Sequence, residues 1–134
     1  MSTNIVFVYL GEKIPNYLIN NIRYTKELFP KKDIFFVGDN YQSLKQITGL
    51  GINVFQSNNI EIRESYSLAR SNHPIKFRNG FWFKTLSRFF ALCEFQSILG
   101  ESILQVEGDV WLSKLFPFSK FETLKTKIAF PMQN

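Results

Sequence analysis

The triplet Glu107-Gly108-Asp109 has the strongest claim to chemistry in this chain. An apolar strand, Ile103-Leu104-Gln105-Val106, leads into it. If that strand runs on through the triplet, Glu107 and Asp109 point to one face, roughly 6.5–7 Å apart at Cα. Two carboxylates so placed converge on one hard divalent cation, directly or through water. The glycine between them lets a ligand approach the backbone. Turns are rich in the same residues, so the triplet by itself reads as a solvated turn and needs its context. Arg88 is the basic residue suited to a phosphate beside such a cation, because its planar fork donates paired hydrogen bonds. Lys84 lies four residues earlier on the same helical face and would add a second cation. The bland alternative for both is a solvated stripe opposite a Trp82/Phe89 face. His73 stands alone before Pro74, with no second imidazole or thiol near it in sequence, and reads as an exposed loop residue.

Residues of this kind work only if secondary structure brings them to one place. Ile5-Val6-Phe7-Val8-Tyr9-Leu10 is apolar throughout, the signature of a strand covered on both faces. Pro15 marks a helix start, Leu18, Ile22, Thr25 and Phe29 share one face, and Pro30 ends it. A second strand, Ile34–Val37, runs into Gly38-Asp39-Asn40. A short helix with Tyr41, Leu44 and Ile47 closes at Gly49 and Gly51, and Ile52–Phe55 is a third strand. From Ser57 to Gly80 the chain is polar and weakly patterned, with a short helix expected near 62–69. Phe81–Leu99 is the longest helix, with Trp82, Leu86, Phe89 and Cys93 as its core stripe and Gly100 as its stop. Cys93 should pack there as a small hydrophobe. Ile103–Val106 is a fourth strand, and Lys127–Pro131 a candidate fifth.

This alternation implies right-handed β-α-β crossovers and an α/β fold with a doubly wound, mostly parallel sheet, formed by residues 1–134 as one domain. Ligands of such sheets bind outside the carboxyl ends of the strands. Three glycine-containing, acid-bearing corners fall there: Leu10-Gly11-Glu12, Gly38-Asp39-Asn40 and Glu107-Gly108-Asp109.

Composition narrows the options. The 134 residues are 45% hydrophobic and 20% charged, which is globular rather than disordered. No apolar run reaches the roughly 20 residues of a membrane span. The start, Met1-Ser2-Thr3-Asn4, lacks the basic region of a secretory signal, and one cysteine supports neither an internal disulfide nor structural zinc. A reducing, cytoplasmic setting is the expectation. The net charge of +5 suits an anionic ligand. The basic residues are nevertheless dispersed: Lys31-Lys32, Arg63, Arg70, Lys76 and Arg78 form no nucleic-acid stripe.

The run Ile103 to Leu112, a buried strand entering an acid-x-acid pair followed by apolar residues, resembles the metal-binding DxD-type segment of GT-A glycosyltransferases. Phe81-Trp82-Phe83-Lys84-Thr85-Leu86-Ser87-Arg88-Phe89-Phe90 is similar to the helix that precedes that segment in several such families. Ile5–Gly11 with Pro15–Phe29 resembles their first strand, nucleotide loop and helix. The resemblance covers residues 4 to 131 in the right order. It implies a Rossmann-type, GT-A-like half-domain that binds a nucleotide-diphosphate sugar and transfers the sugar to a sugar or glycoconjugate acceptor with help from Mn²⁺ or Mg²⁺. By it, Asp109 is the principal metal ligand. Glu107, standing where the motif has its first Asp, contacts the metal through water or the donor ribose. Leu10 and Gly11 offer backbone groups to the base, Asp39 lies near base or ribose, and Arg88 sits near the donor phosphates.

GT-A enzymes extend well past the DxD strand, so the resemblance also implies a truncated front half. No residue is named as catalytic base. The competing expectation is an inactive nucleotide-sugar-binding fragment, or an α/β module completed by a partner. The 15 Phe residues bear on this, because any left exposed would favour a homo-oligomer. Two other α/β readings fail on sequence. Gly11 is followed by Glu12-Lys13-Ile14-Pro15, without the glycines of a dinucleotide fingerprint, and no P-loop is present.

Overall fold

The computed structural model describes residues 2–58 and 81–123, and the side chains of 81–83 are outside that description. The element order is β1 (Asn4–Tyr9), α1 (Asn16–Leu28), β2 (Ile34–Gly38), α2 (Tyr41–Thr48), β3 (Asn53–Gln56), α3 (Phe81–Leu99), β4 (Ile103–Val106) and α4 (Phe118–Glu122). The expected helix near 62–69 and strand at 127–131 lie outside the described residues, as do Arg63, Arg70, His73, Lys76 and Arg78.

The four strands form one all-parallel sheet in the order β3-β2-β1-β4. β1 is central: Ile5 pairs with Ile34 of β2 on one side and with Leu104 of β4 on the other. The chain steps outward from β1 to β2 to β3, then returns past β1 to lay down β4. A right-handed crossover in the reversed direction must pass over the opposite face of the sheet. The packing agrees. Leu18 and Ile22 of α1 and Leu44 and Ile47 of α2 pack with Ile5, Phe7, Ile34, Phe36 and Val106 on one face. Ala91, Leu92 and Phe95 of α3 pack with Val6, Val8, Leu10 and Val37 on the other. The architecture is therefore a doubly wound, Rossmann-like half-domain, with its point of reversal between β1 and β4. Among the described residues, no helix is long and apolar enough to cross a membrane.

Local chemistry accounts for the short elements. Asn40 caps α2 by accepting the Gln42 N–H at 2.8 Å. α1 begins after Pro15 without a side-chain cap, its carbonyl accepting from Leu18 and Ile19.

The long helix corrects one expectation. Phe89 is 54% exposed and Cys93 is exposed, so neither belongs to the core stripe assigned to them. The inward face carries Ser87, Ala91, Leu92 and Phe95, with Phe95 against Phe35 and Phe55. α3 is apolar nearly all round, so two helical faces satisfy the same periodicity, and contact with the sheet selects one of them.

Candidate functional site

The strand order reverses between β1 and β4, and the carboxyl edge at such a reversal is where ligands of these sheets bind. Both strands here lead out toward the α1 face, where Leu112 packs with Ile14, Leu18 and Ile22. Leu10-Gly11 follows β1, Asp39 follows β2, and Glu107-Gly108-Asp109 follows β4, so the sheet order brings the three corners side by side.

β4 stops at Val106, and the triplet forms a turn in which the Val110 N–H donates to the Glu107 carbonyl at 3.0 Å. This overturns the premise that a continuing strand sets Glu107 and Asp109 on one face. The two carboxylates instead take different surroundings. Glu107 keeps the direction of Gln105 and faces α3. There it accepts from Arg88 Nη1 at 2.6 Å through one oxygen and from Gln105 Nε2 at 3.0 Å through the other. Arg88 is thus on the sheet side of its helix and not in a solvated stripe, whereas Lys84 is exposed. The Asp109 carboxylate is exposed and has no hydrogen-bond partner among the described residues.

The turn is held from the other side by α1. Asn21 is fully buried, and its Nδ2 donates to the carbonyls of Gly108 at 3.0 Å and Val110 at 2.7 Å. Thr25 Oγ1 donates to Asn21 Oδ1 and fixes the amide's orientation. Tyr24 donates its hydroxyl to the Leu112 carbonyl and meets the Trp111 ring edge-on, with centroids 4.8 Å apart. A Cβ on Gly108 would come within 3.1 Å of Leu18 Cδ1 and 3.3 Å of Tyr17 Cε2, so glycine is what lets the turn seat against α1. Sequence reasoning missed Asn21, because a polar residue on a helix ordinarily signals solvent.

The β1 corner is equally fixed. Gly11 has φ of +135°, a conformation side chains rarely adopt, and its N–H donates to Asp39 Oδ1 at 2.9 Å. That N–H and that carboxylate oxygen are therefore engaged with each other. Burial, followed by the proximity of Tyr17 and Asp39, raises the Tyr9 phenol above its ordinary value of 10.0.

Among the described residues, no cluster of three or more His, Cys, Asp or Glu side chains could hold a metal. Mg²⁺-like cations bound through substrate phosphates need only one or two carboxylates, with water and phosphate oxygens completing the shell. Asp109 fits that role, and Glu107 fits an outer one while Arg88 occupies it. A surface depression of about 380 Å³ lies away from this edge, lined by Arg23, Lys26, Glu27, Gly49 and Leu50. Lys26 there donates to the carbonyls of Leu50 and Gly51 and ties the segment between α2 and β3 to α1. No protein-family model, curated protein or solved structure matches the chain.

Proposed function

We propose that the carboxyl edge between β1 and β4 binds a nucleotide-diphosphate sugar with Mn²⁺ or Mg²⁺, and that the chain is the donor-binding half of a GT-A-type glycosyltransferase. The observation that carries this reading is the acid-bearing turn, clamped by Asn21 at the reversal point with Arg88 beside it. Asp109 presents to the cation a carboxylate that has no partner among the described residues. Arg88 exchanges Glu107 for a diphosphate oxygen, the paired donation for which guanidinium is built. Glu107, so released, turns to metal-bound water or the ribose. Gly11 and the Leu10 backbone border the base, and Asp39 holds their corner. The bound cation would neutralise charge on the departing nucleoside diphosphate. Arg88 adds to that stabilisation from a partly buried position, where electrostatic effects are stronger than in bulk water.

Calorimetric titration with UDP and GDP, in Mn²⁺ and in EDTA, tests this reading. Tighter binding with Mn²⁺, and loss of that difference in Asp109→Ala, is the expected result. No nucleotide binding in either condition refutes it. An assay for sugar transfer or donor hydrolysis then separates an enzyme from a binding module that uses the same edge.

A further inference from the structure

Among the described residues, one buried side-chain oxygen has no hydrogen-bond partner: Ser87 Oγ on α3. Ser87 is 4% exposed. A serine inside a helix can return its hydroxyl to the carbonyl one turn back, and this one does not. Leaving such a group dry and unpaired costs stability, and a ligand that pairs it recovers that cost on binding. Its position in the fold says which ligand. α3 begins at the carboxyl edge and ends just before β4, so it runs antiparallel to the strands. Ser87 stands one turn before Ala91, which packs with Val8, Leu10 and Val37. It is therefore about 6 Å nearer the carboxyl edge than Ala91, level with the residues that follow Leu10 and Val37. Arg88 diverges from it to meet Glu107 after β4. Glu94, two turns on and on the same side of the helix as Ser87, receives the Ser57 hydroxyl after β3. Ser87 thus faces the ends of β1 and β2, which lie between. The connections leaving β1 and β4 turn to the α1 face and do not cross it.

We infer that Ser87 is a base-contacting residue of the nucleotide site: its hydroxyl hydrogen-bonds the polar edge of a base held between α3 and the ends of β1 and β2. The inference rests on the proposed function and deepens it, because it separates the base from the diphosphate along the sheet edge. Surroundings decide between the two. The wall nearest Ser87 is apolar, made by Leu10, Val37 and Ala91, and a phosphate there would lose its hydration without a cation. A base has apolar faces and a polar edge, so a single hydroxyl in an apolar wall matches it. Asp39 fixes the adjoining β1 corner by accepting the Gly11 N–H. Arg88, Glu107 and Asp109 lie toward β4, where charge is at hand for the diphosphate and its cation.

The test uses the full ¹⁵N-labelled chain with uridine and inosine, free of phosphate and metal, and ribose as the control that lacks a base. Either nucleoside should shift the backbone amide signals of Ser87 and Ala91 saturably, and ribose should not. Ser87→Ala should raise the nucleoside Kd about fivefold or more, and the UDP–Mn²⁺ Kd by a similar factor. Its urea midpoint should equal or exceed that of the wild type, because the change removes an unpaired buried oxygen. A lowered midpoint means that water or protein already satisfies the hydroxyl in the free chain, and it refutes the inference. No saturable shift with either nucleoside also refutes it, as does a wild-type nucleoside Kd in Ser87→Ala. The donor reading survives those results if UDP binds more tightly with Mn²⁺ than in EDTA. Nucleoside binding that Ser87→Ala weakens, with UDP indifferent to Mn²⁺, removes the diphosphate–metal reading and leaves the base contact standing.

Discussion

Replacing Asn21 should cost far more than an ordinary polar-to-apolar change on a helix. Its amide donates to two backbone carbonyls on the turn and accepts from Thr25, and both Asn21 and Thr25 are fully buried. In Asn21→Leu, which keeps the branching and the number of side-chain heavy atoms, both donations are lost. Each is worth about 0.5–1.5 kcal/mol net. The Val110 carbonyl belongs to an exposed residue and regains water, but the Thr25 hydroxyl loses its acceptor in the core. An orphaned buried group of that kind adds about 1–3 kcal/mol. The sum is roughly 2–6 kcal/mol, a large part of the ~5–15 kcal/mol that stabilises a typical domain. Urea unfolding followed by far-ultraviolet circular dichroism measures this global loss. Hydrogen exchange at the Val110 N–H, which closes the turn onto Glu107, gives the local readout. The turn should open at lower urea than the sheet does, because β1 and β2 keep their pairing in the variant. Asn21→Ala should behave alike, with a further cost for its cavity. A change within about 0.5 kcal/mol, with Val110 protection as in the wild type, would refute the claim that α1 holds the turn.

Three further outcomes follow from the same geometry. A double-mutant cycle with Arg88→Met and Glu107→Gln should give a coupling of about 0.5–1 kcal/mol that shrinks in high salt; Glu107 is 44% exposed, so screening keeps the pair well below a buried one. Gly11→Ala should destabilise the chain by about 1–3 kcal/mol in urea melts, since its φ of +135° is a conformation that side chains rarely adopt. Glu122 has its carboxyl held below the ordinary 4.5, first by the hydrogen bond from Lys32 and then by the Thr3 N–H. Its contribution to stability is therefore complete above the ordinary carboxylate value and disappears as pH falls through the lowered one. Glu122→Gln should flatten that acid limb of the stability profile.

The sheet was legible because buried parallel strands are unbroken apolar runs, and Ile5–Val8 and Ile34–Val37 leave little choice of element. Strand order was less so, yet the carboxyl-edge rule located the three corners without it. Two features were hidden for identifiable reasons. α3 carries apolar residues around most of its circumference, so periodicity favoured Phe89 and Cys93 where contact with Val6 and Val8 favours Ala91 and Leu92. The clamp was hidden because Asn21 finds its partners 87 and 89 residues away, and no local pattern encodes that pairing. The Arg88–Glu107 pair falls between the cases: the residue types were legible, but their mutual contact depends on α3 crossing to the β4 side of the sheet.

Paramagnetic broadening by Mn²⁺, followed at the backbone amides of the ¹⁵N-labelled chain with and without UDP, tests the central claim most directly. With UDP present, substoichiometric Mn²⁺ should broaden Gly11 and residues 108–110 first, and Asp109→Ala should remove the effect. Broadening centred on Glu27 and Gly49 at the far end of α1, or unchanged by UDP, would contradict the placement of a nucleotide–metal site between β1 and β4.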